Sequence, residues 1–351
     1  MTSGERAKYA VKTVVSHVLY ALGVLQLWQF FALRRKAVVL MYHRVLTCEE
    51  RILTGSHPGI VVDRETFAKQ MAVLKRRFRV LSVEEFAERM ERKVPFEDAS
   101  CLITFDDGWR DNFTHALPIL QRHRLPALIF LPVNFISRRR LFWQEHFTHL
   151  ACQAVMQVKR EPQRRERFRE ILRPVHLDFV LDLPDHDLRP AVREAVCRQK
   201  GVALSLVEDT LSILTRELGG KGDEFEELDG FLDWEQVKSM AQQGISFGGH
   251  GAEHRLLTLV SPSEARDEIC AARGVIDSRL QERVPTFSYP NGNWSPGVVS
   301  LVRESGYRMA FTTQPGFVKC DDDRFTIRRI NVHESMTNST PMFLARIVGL
   351  F

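Results

Sequence analysis

Short apolar, β-branched runs recur along the chain, separated by stretches whose apolar positions repeat with the 3.6-residue period of a helix. The runs AVVLMY (37–42), SCLITF (100–105), PALIFL (126–131), GISFG (244–248), PTFSY (285–289), RMAFTT (308–313) and FTIRRINV (325–332) read as strands. Helical spacing falls at about 64–77, 83–92, 111–122, 234–243, 262–281 and 297–305, and Pro262 after Ser261 marks a helix start. Alternation of this kind predicts parallel strands joined by crossover helices. About seven strands suggest an α/β fold closed into a distorted, TIM-barrel-like (β/α) barrel, although an open doubly wound sheet fits the same pattern. Residues 141–232 break the rhythm with helical and loop material around Pro162, Pro174, Pro184 and Pro190, ending in the acidic run DEFEELDG (223–230). They read as an insertion between two strands, serving as a lid, a substrate-side wall or padding.

The N-terminus has a different pattern. Thr13 to Leu33 carries no formal charge over 21 residues and is bounded by Lys12 and Arg34. That is close to the ~20 residues that cross a bilayer core as a helix. Its polar members, Ser16, His17, Gln26 and Gln29, do not gather on one face. Residues 1–36 are therefore expected to form a hydrophobic helix anchoring the protein to a membrane, ahead of a catalytic domain over 37–351. A hydrophobic helix docked on the domain or on a partner is the competing expectation. Basic residues on the two sides nearly balance, so orientation is not readable.

Composition narrows the class without adding chemistry. With 44% apolar and 26% charged residues the chain is an ordinary globular protein. The net charge of +5 is mild and partly local, since 159–173 holds seven basic and three acidic residues, so no nucleic-acid partner is expected. Six dispersed cysteines without a CxxC pair do not form a disulfide framework, and Cys101, Cys197 and Cys270 read as buried free thiols.

Reactive residues concentrate where strands end. Strand 100–105 runs into Asp106-Asp107-Gly108, strand 244–248 into Gly249-His250 with His254 four residues on, and strand 285–289 into Tyr289-Pro290-Asn291-Gly292. The first strand ends at Tyr42-His43 and the last at His333. Catalytic groups of α/β barrels come from the C-terminal ends of strands, so five strand ends with metal-capable or acid/base residues point to an enzyme. HGAEH is not the zincin HExxH, because Gly251 stands where that motif needs Glu. Two histidines four apart still lie on one face of a helical turn and can share an ion, with an Asp from a neighbouring strand end as third ligand.

TFDDG (104–108), HGAEH (250–254) and SYPNG (288–292), in this order and at strand ends, resemble the polysaccharide deacetylases of carbohydrate esterase family 4, the NodB-homology domain. MYHRV (41–45) resembles the opening strand of one branch of that family. The resemblance covers residues 37 to about 345. It implies that Asp107, His250 and His254 hold a divalent metal, most often Zn²⁺, and that Asp106 is the base for metal-bound water attacking an amide carbonyl. It also implies that the backbone N–H of Tyr289 helps hold the oxyanion. The implied substrate is an N-acetylated amino sugar of a polysaccharide or lipid-linked glycan, and the N-terminal segment suggests work at a bacterial inner membrane. His333 is the expected general acid, with His43 competing for that role or contacting substrate. Trp294, beside SYPNG, is the preferred sugar contact, with Trp109 and Trp143 near other strand ends.

Three departures from the family pattern stand out. Gly251 replaces the usual Ser or Thr after the first metal histidine. Thr286, Phe287 and Ser288 fill the stretch where an Arg usually orients the base, and the aspartate motif that partners this Arg is not recognisable. His333 sits in a different context from the usual acid. The missing Arg favours an alternative: a catalytically silent barrel that binds glycan or scaffolds a membrane assembly.

Overall fold

The computed structural model describes residues 3–184, 188–198, 204–220, 226–281 and 285–351. Seven parallel strands follow one another in a single sheet: β1 (Ala37–Tyr42), β2 (Ser100–Phe105), β3 (Ala127–Leu131), β4 (Ile245–Gly249), β5 (Thr286–Ser288), β6 (Met309–Phe311) and β7 (Ile330–Asn331). Their order is β7-β1-β2-β3-β4-β5-β6, with the two-residue strand Arg79–Val80 added beside β2. Every residue of β1 and β2 is buried. Unbroken apolar runs are what a parallel strand needs when helices cover its outer face and side chains fill the inner one.

The last strand explains how the sheet curls. The sequence predicts one strand over 325–332, but only Ile330–Asn331 is a regular strand. The preceding residues pair with β6: Ile327 bridges Phe311, and the Ala310 amide donates to the Arg324 carbonyl. Ile330 then pairs with Leu40 of β1. One segment thus changes neighbour along its length and draws the two sheet edges together into the curled barrel that the strand count suggested.

Other elements follow the sequence closely. The helix Arg64–Arg77 is capped by Asp63, and Pro262–Leu280 by a reciprocal Ser261–Glu264 capping box. The helix expected over 111–122 opens instead with a π-turn at Asn112–Ala116 before Leu117–His123, where Pro118 removes an N–H from the ladder. Cys101 is buried as expected, whereas Cys270 is exposed and Cys197 half-buried.

The chain divides into two compact units, one of 1–48, 59–138 and 231–351 and the other of 49–58 and 139–230. The insertion is therefore a unit with its own core, including Phe147, Leu150, Phe168, Leu172, Val192 and Leu214. The sequence pattern did not reveal that Glu49–Pro58 belongs to it. Buried polar bonds tie that segment in: Asp229 accepts from the Thr54 hydroxyl (2.6 Å) and the Gly55 amide (2.7 Å), and Ser56 donates to Glu145 (2.8 Å). Asp223–Phe225 of the acidic run lie outside the described residues.

At the N-terminus no single helix is long and apolar enough to cross a membrane. The continuous helix expected over 13–33 is two helices, α1 (Ser3–Ala21) and α2 (Val24–Ala32). They bend by 92° at Gly23, whose φ of +74° is left-handed.

Phe67 locks the first crossover helix to the sheet, packing against Tyr42 (5.3 Å between ring centroids) and Phe105 (5.8 Å) while fully buried. Phe67→Ala should lower stability by about 3–5 kcal/mol, read as a reduced Tm in thermal unfolding. An unchanged Tm would show that this contact does not hold the helix.

Candidate active site

β2 delivers two adjacent carboxylates. The Asp106 amide stays in the sheet, donating to the Tyr42 carbonyl at 2.9 Å. The chain then turns through two left-handed residues, Asp107 (φ +74°) and Gly108 (φ +64°). A Cβ at position 108 would lie 2.6 Å from Leu131 Cδ2, so the tight turn requires glycine there. Asp107 holds an unfavourable backbone conformation for an L-residue, the kind of strain that surrounding contacts must over-determine.

β4 delivers the histidines. The His250 amide donates to the Leu131 carbonyl at 2.9 Å, and its Nδ1 donates to the Ser288 carbonyl at 2.7 Å. A carbonyl only accepts, so the proton is on Nδ1 and Nε2 presents a lone pair. His250 Nε2 and His254 Nε2 each lie 3.4 Å from Asp107 Oδ1. One ligating atom from each of Asp107, His250 and His254 falls within 4.8 Å of the others. Two imidazole nitrogens and one carboxylate, with the rest of the sphere open, form a donor set suited to a divalent transition metal such as Zn²⁺.

Gly251 has a structural reason. Its φ is +77°, and a Cβ there would lie 2.9 Å from Glu268 Oε2. That oxygen accepts from the amides of Ala252 and Glu253, both at 2.8 Å. A buried carboxylate therefore holds the loop between the two histidines.

Asp106, which acts electrostatically on His250, is clamped by an arginine. Arg329 Nη1 donates to Asp106 Oδ1 and Nη2 to Oδ2, both at 2.7 Å, with both residues buried. The remaining guanidinium protons reach the Ser288 hydroxyl (2.9 Å), Thr104 Oγ1 (3.2 Å) and, from Nε, the Thr312 carbonyl (2.8 Å). The arginine absent before SYPNG is thus supplied by the closing segment of the barrel. A signal for it was present in the sequence: Phe325, Ile327 and Arg329 follow a period of two, and all three are buried. That corrects the main ground for a silent barrel.

Electrostatics separate the two carboxylates. Burial alone would raise the Asp106 carboxyl, but Arg329 and then His250 outweigh it and hold Asp106 below the usual range. Burial likewise opposes ionisation of Asp107, but the neighbouring imidazoles of His250 and His254 hold it well below normal. Burial lowers the His254 imidazole to about 4 against the pull of Asp107, leaving it neutral at pH 7. His250 is raised, because Asp106 and Asp107 together outweigh the effect of burial.

The Asp107 carboxylate has its own support. Trp109 Nε1 donates to Asp107 Oδ2 at 3.0 Å, leaving Oδ1 to face the histidines. The buried indole stacks on Phe231 at 4.7 Å and lies 4.3 Å from the Arg44 guanidinium. Arg44 donates to Asp111 (2.9 Å), which also accepts from the Val45 amide (2.7 Å). Asn112 donates to the His43 carbonyl at 2.8 Å. MYHRV and DDGWRDN therefore form one bonded assembly, and Trp109 is a support for Asp107 rather than an exposed sugar platform.

The remaining expected site residues scatter. His43 Nε2 is 4.0 Å from Asp106 Oδ2, and its buried Nδ1 has no hydrogen-bond partner among the described residues. His333 precedes the short helix Glu334–Thr337, with Nδ1 2.8 Å from the Ser335 hydroxyl. Trp294 is half-buried just beyond the turn Pro290–Gly292. For Tyr289 the geometry corrects the expectation: its amide donates to the Phe311 carbonyl (3.1 Å) and its hydroxyl to the Phe325 carbonyl (3.0 Å). Both donors are engaged inside the barrel, so the expected amide donor to an oxyanion is already paired.

A curled parallel α/β sheet with an Asp/His/His group at its C-terminal strand ends defines a class of barrels built around a metal-capable site. Comparison narrows the class: the family model for polysaccharide deacetylase matches residues 93–164 and 207–310, and the chain belongs to that family. YxkH of Bacillus subtilis (strain 168), assigned to the polysaccharide deacetylases, is 30% identical over 108 residues, spanning 31% of this chain and 39% of that protein. The fold is similar to that of the Streptococcus pyogenes deacetylase PplD in complex with acetate (TM-score 0.56, 17% identity, 89% of this chain and 98% of that one). It is also similar to IcaB from Ammonifex degensii (TM-score 0.54, 17% identity, 90% and 97% covered).

Arg329→Met should remove the counter-charge that holds Asp106 ionised, so the Asp106 pKa rises. The acidic limb of a pH–rate profile for the hydrolysis should then move to higher pH. Loss of one partner of a buried pair should also cost about 3–5 kcal/mol of stability, measured by denaturant unfolding. A variant with an unmoved acidic limb would show that Arg329 does not set the charge of Asp106.

Proposed function

We propose that the protein is a metal-dependent hydrolase that removes N-acetyl groups from amino sugars of a polysaccharide or lipid-linked glycan. The single observation that carries this reading is the division of labour between neighbouring carboxylates. Asp107 faces His250 and His254, while Asp106 is held as an ionised acceptor by Arg329. A pure binding module has no need of a charged acceptor set beside a three-donor cluster. Family membership and the acetate carried by the PplD structure point to the same chemistry.

A divalent metal such as Zn²⁺, held by Asp107, His250 and His254, would polarise a poorly electrophilic amide carbonyl and acidify water. Asp106 accepts the proton of the attacking water, with the Arg329 clamp fixing its orientation. His250 keeps Nε2 aimed at the cluster through its Nδ1 bond to Ser288. A proton donor for the departing amine completes the reaction. We assign it to His43, whose Nε2 lies 4.0 Å from Asp106 Oδ2, ahead of His333, whose Nδ1 lies against Ser335. Trp294 is assigned to sugar stacking.

Acetate release from N-acetylglucosamine oligomers, with metal content measured alongside, tests the reading. Chelation should abolish release and added Zn²⁺ restore it. Asp107→Ala and His250→Ala should lose both metal and release. Asp106→Asn should retain metal while kcat falls by about 10²–10⁴-fold. His43→Ala should lower kcat more than His333→Ala. Full activity in Asp107→Ala, or release indifferent to chelator, would overturn the proposal.

A further inference from the structure

The two N-terminal helices expose large apolar residues that a protein surrounded by water would bury. On α1 the residues Val11, Val14, Val15 and Val18 form one helical stripe, and it is the exposed one, with Val14 62% accessible. Ser16 is fully buried on the opposite side. On α2 the exposed positions are Leu27, Trp28, Phe30 and Phe31, while Gln29 is buried and donates to the Arg77 carbonyl at 3.2 Å. Both helices thus turn most of their large apolar side chains outward, while Leu25 and Leu33 pack inward beside Ser16 and Gln29 and His17 is exposed. A soluble surface helix does the reverse.

Both helices are fastened to their unit. The Trp28 indole donates to the Val348 carbonyl at 3.2 Å, and Asn338 donates to the Tyr9 hydroxyl at 2.8 Å, on either side of the helix Thr340–Ile347. With the 92° bend, these bonds hold the pair along the unit rather than as one straight span.

Cations adjoin the apolar face. Lys8 and Lys12 lie on α1. Directly after α2, Arg34, Arg35 and Lys36 share a recess of about 390 Å³ with Lys93 and Lys319, against a single acid, Asp321. Arg34, Arg35, Lys93 and Lys319 make no side-chain ion pair among the described residues. Exposed apolar residues on both helices, followed directly by a cation-lined recess, match the interface of a bilayer bearing anionic headgroups. They do not suit a second copy of the chain, since a symmetric contact would set these cations against one another.

We propose that α1 and α2 form an in-plane membrane dock, with the apolar face entering the acyl boundary and Arg34, Arg35, Lys36, Lys93 and Lys319 binding anionic phospholipid headgroups. This inference does not rest on the proposed reaction, and its readout is binding rather than turnover.

The test is co-sedimentation of the full chain with vesicles of phosphatidylcholine alone and of phosphatidylcholine mixed with phosphatidylglycerol. The expected result is capture by the anionic vesicles, weakened by salt. Capture should fall at least ~10-fold in L27E/F30E/F31E, which removes apolar insertion, and also in R34E/K93E/K319E, with Tm retained in both. Equal capture by neutral and anionic vesicles, or variants that bind like the parent, would overturn the proposal. So would resistance of membrane-bound protein to alkaline carbonate, which marks a span. Sedimentation equilibrium showing a parent dimer that L27E/F30E/F31E converts to monomer would assign the face to a second copy instead.

Discussion

The site depends on one buried ion pair. Two charges out of water are stable only when their geometry is good and their remaining hydrogen-bonding capacity is filled. Arg329 and Asp106 meet both conditions through a two-point contact, with Ser288, Thr104 and Thr312 taking the other guanidinium protons. These partners come from β2, the end of β5, the end of β6 and the segment leading into β7. The pair therefore ties the closing edge of the barrel to the strand that carries the two carboxylates, and fold closure and the charge state of Asp106 depend on the same contact.

Around that pair the chain resolves a conflict between two adjacent acids. Asp106 and Asp107 are adjacent acids with separate partners: Arg329 neutralises Asp106, and Asp107, at the left-handed turn with Gly108, faces His250 and His254. Trp109, Arg44 and Asp111 then hold Asp107 from behind, and Glu268 holds the loop carrying His250 and His254. Asp107 (φ +74°) and His254 (φ +56°) both hold left-handed backbone where the ligating atoms must converge, and rigid neighbours maintain it. The helical insertion has its own apolar core, fastened by Asp229 and Glu145 to the Glu49–Pro58 segment.

The sequence alone determined the strands, most of the crossover helices and the Asp/His/His donors, because parallel strands are apolar throughout and reactive side chains sit at their ends. Resemblance of the three motifs to a known family grouped Asp106, Asp107, His250 and His254. It did not reveal Arg329, the engaged amide of Tyr289, the break at Gly23 or the capture of Glu49–Pro58 by the insertion. Each of these is a relation between segments distant in sequence, or a turn whose angle local pattern does not encode. Arg329 reads as a surface charge in FTIRRINV until closure of the sheet places it beside Asp106. The apolar N-terminal run gives length but not direction, and only docking shows that Ser16 and Gln29 are buried while the valines of α1 and the aromatics of α2 are exposed. Periodicity records which side of an element is apolar; what that side meets is decided by packing.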